Sequence, residues 1–174
     1  MARIDHYQEY IDVIYDALTA EPTLDPTQTD AVRYIRQMRK NRRLPGEGLP
    51  GINIYHAAQQ EEHIQIGYNP LVTYITRITI RCMLPGDYPS AVLSALDLSA
   101  VNEPEEADMA LFLIADKVEE VMRRDANIRP TITGNDVMIM RPNGVTFSAY
   151  SVAENKEIYQ ADVSILSQAR INNP

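Results

Sequence analysis

The sequence has one cysteine, no tryptophan and only two phenylalanines in 174 residues. A single thiol excludes an intrachain disulfide and any Cys-x-x-Cys metal or redox pair. Cys82 falls in the apolar register of a strand-like run, where a thiol behaves as a small hydrophobe. No run approaches the roughly 20 apolar residues needed to span a bilayer. The opening MARIDHYQEY is polar where a secretory signal would be apolar, so a soluble protein made in the cytosol, without a membrane partner, is expected. Also missing are a His-Glu-x-x-His helix, a phosphate-loop glycine pattern and a Gly-x-Ser-x-Gly elbow. The expectation is a protein without cofactor, metal or catalytic residues, and not an enzyme.

What is present is ordinary for a globular chain: 45% hydrophobic and 23% charged residues. The length suits one domain with its own core. A net charge of −8 opposes nucleic-acid binding over the whole surface. The charge is nevertheless uneven. Residues 33–43 carry Arg33, Arg36, Arg39, Lys40, Arg42 and Arg43 with no acid, whereas residues 97–125 carry nine acids against three bases.

Ile4, Tyr7, Ile11, Ile14, Tyr15 and Leu18 recur at three- and four-residue spacing, which predicts an amphipathic helix over 3–20. Pro22 and Pro26 end it. The spacing of Ala31, Val32, Ile35 and Met38 predicts a second, basic helix over 28–42, capped by Thr27 or Thr29. RLPGEGLPG must be a loop. Beyond it, Ile52 and Ile54, Ile64 and Ile66, then Val72, Tyr74, Ile78, Ile80 and Cys82 alternate as strands do. Arg77, Thr79 and Arg81 take the opposite parity and predict a wet or partner-facing side. A turn is expected around AAQQEE, and a bulge or second turn at Tyr68-Asn69-Pro70. Residues 91–98 read as a short helix or an apolar loop.

The clearest helix follows Asn102. Pro104 and the acids Glu103, Glu105 and Glu106 suit its first turn, and Arg123 and Arg124 its last. Leu111, Ile114, Val118 and Val121 would contribute about 6 to 12 kcal/mol if fully buried, against about 0.3 to 0.5 for each exposed charge pair. Asn143-Gly144 predicts a hairpin between strands 136–140 and 145–152, and alternation predicts a last strand over 157–171. The order gives one α+β domain over 1–174, an antiparallel or mixed sheet covered by amphipathic helices, with loops near 21–27, 43–51 and 85–102.

Weak chemical signals remain. His56 and His63 flank Glu61 and Glu62, and a hairpin would bring them together, but these are also the residues of an exposed turn. Ser148 and Ser151 fit the wet side of a strand. The basic segment has three readings: a solvated face, a contact with an acidic neighbouring copy, or a small nucleic-acid-binding module.

Taken together, the opening helix, RRLPGEGLPGINIYHA, the long TYITRITIRCML, the helix ADMALFLIADKVEEVM and a closing strand near ADVSILSQARI resemble the tail terminator proteins of long-tailed bacteriophages. The resemblance spans most of the chain and rests on order, spacing and the Leu49-Pro50-Gly51-Ile52 entry. It implies a virion protein of the tail and neck, made in the host cytoplasm. Six copies would form a ring at the head-proximal end of the tail tube, ending tube polymerisation and joining the tail to the head. The implied partners are further copies of the chain, the tail tube protein, and the head-side connector or stopper protein, with DNA passing the lumen without specific binding. The basic helix and the 85–102 insertion depart from the compact pattern and leave a head-completion or stopper role open. Expected contacts between copies are Arg36, Arg39, Lys40, Arg42, Arg43, Arg77 and Arg81 on one side, and Glu103, Glu105, Glu106, Glu119 and Glu120 on the other.

Overall fold

A computed structural model of the chain describes residues 3–42, 49–66, 69–85, 94–96, 104–124, 136–153 and 156–172. The protein is α+β. Helices α1 (Arg3–Thr19) and α2 (Pro104–Arg124) pack on one side of a five-stranded mixed sheet. Its strands are β1 (Gln37–Arg39), β2 (Gly51–Ile66), β3 (Asn69–Pro85), β4 (Asp136–Ala153) and β5 (Lys156–Asn172), in the spatial order β1-β2-β3-β5-β4. Among the described strands only β1 and β2 run parallel; the other neighbours are antiparallel.

α1 forms where the apolar period predicts it. Ile11, Ile14 and Leu18 are buried, and so is Tyr10, which the periodic stripe omits. Glu21 N–H donating to the Leu18 carbonyl tightens its end, and Pro22 follows. In α2, Leu111, Ile114, Val118 and Val121 are all fully buried, as the stripe requires. Each removes the apolar area of a whole side chain from water, about 1.5 to 3 kcal/mol. They meet Ile78 and Ile80 of β3 and Ala161, Val163 and Ile165 of β5, the alternate residues that face the helices.

The second helix does not exist. Residues 20–36 form turns, and Gln37–Arg39 become β1, with Met38 registered to Ile52. Along a helix, Arg33, Arg36, Arg39 and Lys40 would repel one another at three- and four-residue spacing. In the turns, Asp30 pairs with both Arg33 and Arg36, and Arg36 N–H reaches the Pro50 carbonyl at 2.7 Å. Ile35 and Met38 are buried either way, while Val32 is 41% exposed.

Two predicted turns are also absent. β2 continues through AAQQEE as one 16-residue strand, absorbing Ala57 as a bulge between His56 and Ala58. The ribbon instead reverses after Ile66, which pairs with Asn69, so Pro70 sits at the free end of β3, where its missing donor costs least. Asn143-Gly144 forms no hairpin either: β4 runs 18 residues along β5, with register shifts at 137/139, 142/145 and 151/153. Gly144, at φ +127°, provides the backbone conformation for the middle shift. Both halves of β4 find a ladder along the 17-residue β5, which they would lose by pairing with each other.

Of the expected 91–98 element, Leu96 is buried, and only 94–96 are among the described residues. The Asn102 cap and most of the 43–51 and 85–102 loops lie outside them. No described helix is long and apolar enough to cross a membrane.

Candidate interaction surface

Alternation gives the sheet two unlike faces. The helix face carries the core. The other face is best read as rows across the strands, because registered residues point the same way. One row is Gln37, Gly51, Met83, Gln160 and Ser148; the next is Arg39, Asn53, Arg81, Asp162 and Thr146. Then come Tyr55, Thr79 and Ser164, and next Ala58, Arg77, Leu166 and Arg141, beyond which the ladders continue. Polar and cationic residues dominate, and Asn53, Gln160 and Met83 are buried where the first two rows meet.

The centre of this face is fixed by charge. Arg81 donates to both carboxylate oxygens of Asp162, Nε at 2.8 Å and Nη2 at 2.9 Å. Such a fork holds both side chains in one geometry. Gln160 Nε2 adds a third bond to Asp162 at 3.1 Å. The Tyr55 ring lies between two guanidinium groups, Arg42 at 5.0 Å and Arg81 at 5.3 Å from its centroid. Burial first, then the Asp162 charge, push the Tyr55 hydroxyl above its ordinary pKa, so it stays protonated and able to donate. Arg42 also donates to the His56 carbonyl at the outer edge of β2.

Of the cations singled out in the sequence, Arg39, Arg42, Arg77 and Arg81 come together at this face. Arg141, which the expected Asn-Gly hairpin had placed beside a turn, joins them. Arg36 is held by Asp30 at 3.0 Å, and hydrogen bonds from Arg33 first and Arg36 next keep the Asp30 carboxyl below its usual range. Lys40 lies 2.5 Å from Asp12 and 4.5 Å from the centre of the Tyr15 ring, tying the end of β1 to α1. Arg43 lies outside the described residues.

The predicted acidic group is divided. Glu119 pairs with Arg123 at 3.0 Å and Glu120 with Lys117 at 2.9 Å, both within α2. Lys117 and Arg124 also reach the buried Glu21 at the end of α1, at 3.9 and 3.1 Å. Two open depressions on this side, about 460 and 300 Å³, share Asp116 and Glu120. Glu105 and Glu106 belong to the first turn of α2, but their side chains, and all of Glu103, are outside the described residues.

The histidine pair does not assemble through a hairpin. His56 and His63 lie on the same continuous strand, seven residues and so about 23 Å apart. His56 instead meets the edge of the Tyr10 ring, centroids 6.5 Å apart. Among the described residues no cluster of three metal-ligating side chains forms. Ser148 and Ser151 are exposed on the β4 edge. No protein-family model matches the sequence, and no curated protein matches it.

Proposed function

We propose that this chain is a structural protein of a phage virion, of the tail terminator type, acting through ring assembly at the head-proximal end of the tail tube and not through catalysis. The observation that carries the reading is the two-faced sheet: helices bury one side, while the other exposes Arg77, Arg141, Thr146 and Ser148 beside half-buried Arg39, Thr79, Arg81 and Ser164, with no helix laid over these rows among the described residues. A lasting interface between subunits commonly buries about 2,000 Å² or more, and strands of 16 to 18 residues supply surface on that scale. Repeated around an axis, one such contact closes a ring. The ring would stop further addition of tube subunits and offer its far side to the head-side connector.

Electron microscopy of the purified protein, alone and mixed with tail tubes, tests the assignment. Rings, and tubes capped at one end, are expected. A strict monomer that leaves tubes uncapped sinks it, and rings that bind only the head connector would move the protein to the stopper position.

A further inference from the structure

The fourth row of the open face places an apolar residue between two cations: Arg77 on β3, Leu166 on β5 and Arg141 on β4. Two strand spacings put the arginine backbones about 10 Å apart. Both arginines are exposed, and neither has an ion-pair partner among the described residues.

On the opposite side of the molecule, the outer flank of α2 carries the inverse pattern. Asp108, Phe112 and Asp116 follow one another at four-residue steps, all exposed. At about 1.5 Å per residue the two carboxylates stand about 12 Å apart along the helix, with the ring between them. Phe112 is 54% exposed although it stacks on Phe147 of β4, centroids 6.4 Å apart. The stack holds the ring in place, so little side-chain freedom remains to be lost on docking. The neighbouring acids Glu119 and Glu120 are engaged by Arg123 and Lys117, whereas Asp108 and Asp116 have no ion pair among the described residues.

Building on the ring reading, we propose that the open sheet face of one copy receives the α2 flank of the next, with Arg77 and Arg141 opposite Asp116 and Asp108, and Phe112 over Leu166. A second copy fits better than a nucleic acid for two reasons. The arginines outnumber Asp162 on this face, so the remaining surfaces are more acidic than the net charge of −8 suggests. Moreover, the charge, spacing and central apolar residue all match within the same chain. The two docking surfaces lie on opposite layers of the molecule, so the contact is head-to-tail and propagates until it closes.

A charge swap tests this by sedimentation velocity at low and high salt. Arg77→Glu with Arg141→Glu, and separately Asp108→Arg with Asp116→Arg, should each weaken self-association at least about tenfold. An equimolar mixture of the two variants should associate again. Circular dichroism checks that folding is kept, and the milder Arg77→Gln with Arg141→Gln carries the same expectation at smaller amplitude. If wild type assembles and the reversed-arginine variant assembles equally well, this docking is wrong while the ring reading stands. A wild type monomeric at every concentration overturns this docking, and the ring reading falls with it if mixed tail tubes also stay uncapped. Salt-sensitive binding of duplex DNA that the arginine reversal abolishes, with assembly unchanged, would give the face to nucleic acid and overturn the proposal.

Discussion

Lys40 and Asp12 illustrate what single charges contribute here. The Lys40 hydrogen bond is the main cause of the lowered Asp12 pKa, with Gln8 a lesser one. A carboxylate whose pKa is lower folded than unfolded stabilises the fold at neutral pH, and that contribution disappears as pH falls through its titration range. Both side chains are a third or more exposed, so solvent screening keeps the effect below about 1 kcal/mol. Asp12→Asn should therefore lower the urea midpoint slightly at neutral pH, and the gap to wild type should close in acid. A gap that widens in acid would contradict the assignment. The Arg81–Asp162 fork lies deeper, with about a quarter of each side chain exposed, and organises the sheet face around Tyr55.

Among the elements, β4 depends most on one residue. A Cβ built on Gly144 meets nothing within 4 Å, yet its φ of +127° is one that L side chains rarely adopt. Gly144→Ala should cost about 1 to 3 kcal/mol through the backbone alone, read as a lower denaturant midpoint, whereas Asn143→Ala should cost less. Equal stability of the Gly144→Ala protein would mean that the bulge is not needed. The same element shows where sequence stops informing. α1 and α2 were legible because a 3.6-residue period needs only its own residues, and the parity of β3 and β5 because one side is buried. Asn143-Gly144, AAQQEE and residues 28–42 take forms that the local pattern does not predict because each outcome depends on a partner distant in sequence: β5, β3, and Pro50 with the start of β2. The candidate surface was half legible for the same reason. Arg77 and Arg81 follow from parity alone, but Arg141 joins them only once β4 is known to run along β5, and Arg39 only once its segment is a strand.

At the scale of the molecule, helices and sheet enclose one buried cluster, and Cys82 lies in it, fully buried. Burial, and secondarily Asp162, push its thiol pKa far above the ordinary value, so the nucleophilic thiolate is suppressed. Iodoacetamide should leave the native protein unlabelled and modify it fully in guanidinium. Labelling in native buffer should track opening of the core, slowing in step with any stabilising condition; rapid native labelling would show that β3 is not covered as described. One consequence concerns crowding. A protein gathered in many copies at one place risks adding strand to strand along its free edges, which ends in fibrils. β4 is such an edge, 18 residues long, yet its ladder shifts register three times. Each shift twists the strand and spoils a straight row of donors and acceptors that another chain could copy. The irregular edge thus discourages runaway polymerisation, and in the proposed ring it would leave association to faces, whose geometry can stop at a fixed number of copies.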